Sequence, residues 1–513
     1  MADTRSFASR ITAAYAAEGL VIDLGRGVLG GKTDPEAVVQ LPAAMCNRHG
    51  LIAGATGTGK TKTLQLLAEQ LSAIGVPVFA ADVKGDLTGL LRPGEPGDPV
   101  TARAEELGVA YEPAGHPVTF LALGGIGPGV PVRATVSSFG PQLLAKVLGA
   151  NETQTASLSL VFHYADEAGL ALLDLSDLRA VLHHLTSDDG KAELAAIGGI
   201  SSATAGVLLR SVTQLADEGG DDFFGEPELD VHDLLRSTDG GVGVISCLEL
   251  AAVQEKPRLF STFLMWLLAE LFQELPEVGD LDKPKLVFFF DEAHLLFDDA
   301  PKEFVDQVAQ TVRLVRSKGV GVFFVTQLPD DVPDEVLAQL GNRVQHALRA
   351  FTPRDAKALK AAVTTYPKTD DYDLEEDLTQ LGTGEAMVTI LSERGAPTPV
   401  VWTKLRPPTS LMAALGADEV DREARQSPLW STYAEEIDRE SARERLAAKM
   451  AAGAEPAAAP ANTERRERPA ARPQPKGKEK DENAVIAYVK SREGRSMMNT
   501  VVRGVFGLLR KRR

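Results

Sequence analysis

Cysteine is scarce: Cys46 and Cys247 are the only two in 513 residues. Far apart in sequence, they offer neither a disulfide framework nor a metal-ligand cluster, which suits a reducing cytoplasm. Long apolar runs are missing as well. The longest helical apolar stretch, Phe260 to Phe272, is too short to span a bilayer and carries Glu270, so it reads as a buried helix and no transmembrane segment is expected. The opening MADTRSFASR lacks the apolar core of a signal peptide. Positive charge is in deficit: 54 Lys and Arg against 72 Asp and Glu leave a formal charge of −18, which argues against a basic protein that coats nucleic acid. The hydrophobic content of 44% is ample for a core, and the length implies more than one domain.

What is present is organised around His49 to Leu71. Gly54-Ala-Thr-Gly-Thr-Gly-Lys60-Thr61 is a full match to G-x-x-x-x-G-K-[ST], placed between a short apolar strand (Leu51 to Ala53) and a helical pattern (Leu64, Leu66, Leu67, Leu71). Gly54, Gly57 and Gly59 allow a tight turn whose N–H groups point at phosphate oxygens, aided by the positive end of the helix that follows. The expected nucleotide-binding set is Gly54, Thr56, Gly57, Thr58, Gly59, Lys60, Thr61 and Lys62. Lys60 would reach the β- and γ-phosphates of ATP, and the Thr61 hydroxyl would coordinate Mg²⁺.

The second half of such a site lies in Lys285 to His294, KLVFFFDEAH. An uninterrupted apolar run reads as a central parallel strand that delivers its last residues to the carboxyl edge, where open α/β sheets bind ligands. Asp291 suits Mg²⁺ or its water ligands, and Glu292 suits a general base that orients water for attack on the γ-phosphate. His294 reads as a packing or supporting residue. Asp82 and Asp86, after the strand Val76 to Asp82, are either part of the Mg²⁺ and water network or an ordinary polar loop, with Lys84 as a phosphate or subunit contact. Gln327, at the end of Val320 to Val325, is either a sensor of the γ-phosphate or a strand-end amide facing solvent. Arg343, and Arg48 upstream of the phosphate loop, are candidates to stabilise the transferring phosphoryl group, in their own or a neighbouring subunit.

Strand and helix alternate along most of the chain, which implies a parallel sheet with right-handed crossovers. The organisation expected is a short α/β leader at 1–45, a first part of the nucleotide-binding core at 46–138 and a helical insertion at 139–235. The second part of the core follows at 236–410, then a charged helical segment at 411–452, a disordered linker at 453–483 and a basic amphipathic tail at 484–513. His163, His183 and His184 lack partners at metal spacing and read as surface or core histidines. The tail carries eight Lys or Arg against one Glu and ends in Arg510-Lys-Arg-Arg513, which suits DNA phosphates, an anionic membrane surface or an acidic patch of its own assembly.

Five blocks, GATGTGKT, ADVKGD, FFFDEAH, FFVTQLPDDVP and LGNRVQHALRAFTPRD, resemble in order and spacing the HerA/FtsK branch of P-loop ATPases, most closely the bacterial HerA-like helicase family. The resemblance covers roughly residues 20 to 410. It implies a RecA-like α/β fold, homo-hexameric rings and ATP-driven translocation along, or remodelling of, duplex DNA. It also implies nucleotide binding by Lys60 and Thr61, Mg²⁺ binding and hydrolysis by Asp291 and Glu292, a sensor at Gln327 and an arginine contact at Arg343. The leader is much shorter than the β-barrel that precedes the core in archaeal HerA, so partners that dock on such a barrel are not carried over. The other class left open is an ATPase that works on protein, as a secretion or assembly motor or as a nucleotide-gated scaffold for an effector partner.

Overall fold

The computed structural model describes residues 6–297 and 302–454. The expected tail 484–513, and the linker 453–483 beyond residue 454, lie outside the described residues. The described chain divides into two compact units.

The first unit comprises residues up to 134, 146–149 and 213–437. It is built on one sheet of twelve strands: β1 Val21–Leu29, β2 Lys32–Pro42, β3 Gly50–Ala53, β4 Val78–Asp82, β5 Val118–Leu123, β6 Val130–Val132, β7 Ile245–Glu249, β8 Leu286–Phe290, β9 Val320–Thr326, β10 Asn342–Gln345, β11 Glu385–Thr389 and β12 Val401–Leu405. Their order is β2-β1-β12-β11-β10-β3-β9-β8-β4-β7-β5-β6. From β10 to β6 every pairing is parallel, and from β10 to β2 every pairing is antiparallel. The chain is thus RecA-like α/β, as expected, with β9 inserted between β3 and β8.

Composition explains the parallel part. β3, β4, β8 and β9 are buried at every residue, because helices cover both faces of such a sheet. Phe79 meets Phe288 at 5.0 Å between ring centroids and Phe263 of the helix Pro257–Glu274 at 6.4 Å. Each fully buried ring contributes roughly 2–3 kcal/mol of transfer free energy. The helix Pro257–Glu274 is the apolar segment Phe260 to Phe272, and no helix among the described residues is long and apolar enough to cross a membrane.

Strands β5 and β6 were not anticipated. The leader is also more than an appendage: β1 and β2 form the far edge of the same sheet, β1 pairing with β12 at Gly25↔Leu405. Its first helix, Phe7–Ala14, is pinned by the Tyr15 hydroxyl, which donates to the Val388 or Pro399 carbonyl at 2.9 and 2.8 Å.

The second unit comprises 135–145, 150–212 and 438 onward. It is helical, with Glu152–Glu167 and Leu175–Thr186 both opened by capping boxes at Asn151 and Asp174; its bounds differ from the 139–235 insertion, since 146–149 and 213–235 fall in the first unit. The helix Ala442–Ala454 joins it: the N–H of Arg443 donates to Asp177 Oδ1 at 2.9 Å. His184 is buried and lies 2.8 Å from Glu193, while His163 is exposed, in line with their reading as core and surface residues. The 411–452 segment holds the helices Ala417–Gln426 and Trp430–Tyr433 and most of Ala442–Ala454, and divides between the two units at residue 437.

Candidate functional site

The loop Gly54–Gly59 leaves β3 at its carboxyl end and enters the helix Lys60–Ala73. Gly57 and Gly59 take φ of 77° and 116°, the left-handed region that glycine adopts without strain. The loop is fixed from below and beside. Gly54 N–H donates to Thr326 O at 3.2 Å and Ala55 N–H to Ala347 O at 2.8 Å. A Cβ on Gly54 would lie 2.5 Å from the Cβ of His346, and Gly384 N–H donates to Thr58 O at 2.8 Å. Among the described residues, no acceptor meets the N–H groups of Gly57, Gly59, Lys60, Thr61 or Lys62. Open N–H groups at a helix start form an anion cradle. Thr56 and Gly57 are exposed at the loop tip, whereas Thr58 is buried, its hydroxyl donating to Ala55 O at 2.7 Å. Lys60 Nζ rests on the same carbonyl at 3.2 Å. Burial lowers its pKa, against the upward pull of Glu292 and Asp291.

The Lys62 side chain points to another segment. Its ammonium donates to Met412 O at 2.6 Å, so it contributes its N–H to the loop while its side chain binds a strap at 409–415. That strap explains the polar residues buried on the helix Lys60–Ala73. Gln65 donates to Ser410 Oγ and Leu411 O, both at 2.8 Å. Glu69 accepts from Thr409 N–H, Ser410 N–H and Ser410 Oγ–H.

Asp291 and Glu292 follow β8. Asp291 is 2% exposed; its Oδ1 accepts the Glu292 N–H at 2.9 Å, and its Oδ2 is buried without a hydrogen-bond partner among the described residues. Burial, then the neighbouring Glu292 charge, pushes its pKa up to about 7. Thr61 stands in the first turn of the phosphate-loop helix, and a hydroxyl and a carboxylate oxygen are the kinds of ligand a hard divalent cation takes. Glu292 has a φ of 46°, an uncommon backbone for a non-glycine residue. Burial works to raise its carboxyl pKa, but the hydrogen bond and charge of Lys84, followed by His294 and Lys60, hold it below the usual range. His294 Nδ1 lies 3.3 Å from Glu292 Oε2, in keeping with a supporting role.

The strand end at Asp82 has a loop-shaping part. Asp82 Oδ1 accepts N–H groups from Lys84, Gly85 and Asp86 and Oδ2 accepts that of Leu87, so its oxygens shape the loop. Cys247, Glu249 and Asp82 bring ligand-type atoms within 4.8 Å of one another, a proximity invisible in the sequence. Burial and the Asp82 charge push Glu249 up to about 8.

Gln327 stands one residue beyond Thr326, whose carbonyl holds Gly54, so it shares the sheet edge of the loop, with its side chain exposed. Arg343 pairs with Leu51, two residues short of the loop strand's end, and donates to Thr365 Oγ1 at 2.6 Å. Arg48 lies at the amino end of β3, opposite the loop, 3.8 Å from Asp280. Among the described residues, no hydrogen bond or ion pair joins either arginine to the phosphate loop of its own chain. His346 and Gly384, which hold the loop in place, were not singled out from sequence; for His346 the signal was available only as the block LGNRVQHALRA, which contains β10.

A phosphate cradle ending one strand, and an acid pair ending a second strand with one strand between them, define a P-loop nucleoside triphosphatase. The helicase HerA-like C-terminal family matches residues 28–513, and the chain belongs to it. It is a P-loop ATPase of the HerA/FtsK type. A probable helicase of Methanocaldococcus jannaschii, MJECL08, is 34% identical over 119 residues, 22% of this chain and 21% of that protein; the matched stretch thus spans about a fifth of the relative's length. The conjugative coupling protein TrwBdeltaN70 superposes with a TM-score of 0.52 at 15% identity, covering 80% of this chain and 94% of that one. TrwB in complex with ADP and Mg²⁺ superposes at 0.50, with 16% identity over 77% and 98%.

Proposed function

We propose that this chain hydrolyses ATP with Mg²⁺ and that a homo-hexameric ring of it translocates along, or remodels, duplex DNA. The observation that carries the hydrolytic part is the acid pair at the end of β8, one acid with a buried unpaired oxygen and the other ionised beside Lys84. Lys60 and the open N–H groups of the loop would bind the phosphates, and Thr61 and Asp291 would hold Mg²⁺, which neutralises charge on the β- and γ-phosphates. Glu292 would orient the attacking water, Gln327 would contact the γ-phosphate, and Arg343 or Arg48 would act on a neighbour's site. DNA as substrate is supported by family membership, by a relative named a probable helicase and by a structural neighbour named a conjugative coupling protein. An exterior of net negative charge is compatible with a basic lumen.

The test is ATPase activity of the purified protein with and without duplex DNA across a salt series. Stimulation that fades with salt is expected, because phosphate contacts release counterions. A rate indifferent to DNA at every salt concentration would favour the protein-directed motor or scaffold.

A further inference from the structure

We propose that Lys84 is the positioning residue of the hydrolytic site: it fixes one oxygen of the Glu292 carboxylate so that the other is presented to the attacking water. The inference rests on the reading of Glu292 as the general base.

Lys84 sits in a loop that cannot drift. Asp82 gathers four successive N–H groups at 2.6 to 3.2 Å, and the Gln254 side-chain amide donates to the Val83 carbonyl from the segment after β7. From this loop Lys84 Nζ donates to Glu292 Oε1. Glu292 Oε2 is buried with His294 Nδ1 3.3 Å away and, among the described residues, accepts no hydrogen bond. A buried carboxylate oxygen without a donor is costly, and a water donating to it removes that cost. The two oxygens therefore have separate tasks, one anchored and one open. The positive φ of Glu292 adds to the case, since a residue held in a sparsely populated conformation keeps its aim only if its surroundings fix it.

In the step this arrangement serves, a bond forms between the water oxygen and the γ-phosphorus. The bond from that phosphorus to the β–γ bridging oxygen breaks, and ADP keeps the electron pair. The water proton passes to Glu292 Oε2. Lys84 touches none of the reacting atoms.

The experiment compares the full chain with Lys84→Met, Lys84→Arg, Glu292→Gln and the double variant Lys84→Met/Glu292→Gln. It measures kcat, KM for ATP, binding of a non-hydrolysable ATP analogue, and residual single-turnover rates. Lys84 is about half exposed, so its variants are expected to keep the fold, which Tm checks. Lys84→Met should lower kcat ~10- to 100-fold, the scale of a misplaced catalytic group, with KM and analogue affinity held within about twofold. Lys84→Arg should restore much of the rate, and Lys84→Met should add nothing in the Glu292→Gln background. A raised KM at unchanged kcat would make Lys84 a phosphate contact and overturn the proposal. So would an equal fall in rate in both backgrounds. Wild-type turnover by Glu292→Gln would instead remove the base itself, a failure distinguishable from that of Lys84.

Discussion

Thr63 Oγ1 and His346 Nε2 lie 2.8 Å apart, tying the start of the phosphate-loop helix to the end of the strand beside the loop. Burial and the Lys60 charge push His346 down to about 3, so the ring stays neutral at working pH. Removing it by His346→Ala opens a space beneath Gly54 and deletes the contact with Thr63. The expected cost is about 2–3 kcal/mol of stability, together with weaker nucleotide binding. Thermal unfolding with and without an ATP analogue measures both. An unchanged Tm and an unchanged ligand-induced shift would show that the loop does not depend on His346.

Lys60→Ala and Glu292→Gln should fail differently. Lys60 serves the phosphates, so its loss should weaken nucleotide binding. Glu292 serves the water, so Glu292→Gln should bind nucleotide and lose hydrolysis by roughly 10²- to 10⁴-fold, the contribution of general-base catalysis. Equal loss of affinity in the two variants would remove Glu292 from that role.

The loop and the acid pair were legible in sequence because each is local: one turn with its glycines, one apolar strand with its terminal acids. Parallel topology was legible because β4, β8 and β9 read as apolar runs alternating with helices, whereas β5 and β6 escaped notice. What holds the loop was not, since His346 meets Thr63 across 283 residues and Lys62 meets Met412 across 350. Strand β10 ends at Gln345, and His346 and Ala347 turn aside to bond Ala53 O and Ala55 N–H beneath the loop. The loop-shaping part of Asp82 rests on four backbone donors that no spacing rule reveals.

If Arg343 or Arg48 completes a neighbour's site, hydrolysis should depend more steeply on protein concentration than nucleotide binding does. Mixing Arg343→Ala or Arg48→Ala with Glu292→Gln should then recover some activity, because mixed rings contain junctions with both groups intact. Inactive mixtures, in assemblies shown to exchange subunits, would mean that each site is complete within one chain.

The strap at 409–415 should be structural support for the loop helix. Glu69 is 2% exposed and accepts from Thr409 N–H, Ser410 N–H and Ser410 Oγ–H. Glu69→Ala strands those donors in a buried place, at an expected ~2–4 kcal/mol. A large drop in Tm, carrying ATPase activity with it at elevated temperature, is the expected result. A variant as stable as the parent would show the strap to be dispensable.

Stability below neutral pH should depend on His49. The ring is buried, and its Nδ1 accepts the Val322 N–H at 3.0 Å, which only an unprotonated nitrogen can do. Burial pushes its pKa down to about 4. An unfolded chain takes up that proton near 6.5, so between those values the unfolded state binds more protons and stability rises with pH. Falling through the window from 6.5 to 4 should therefore cost the native state ~3 kcal/mol from this group alone. Carboxylates titrate in part of the same range, so the comparison is with His49→Asn, which tolerates a positive φ and keeps an acceptor oxygen but does not ionise. The variant is expected to be less stable than the parent at pH 8 and to close the gap as pH falls to 4. A gap of constant size across denaturation series from pH 8 to 4 would show that His49 does not titrate between the two states.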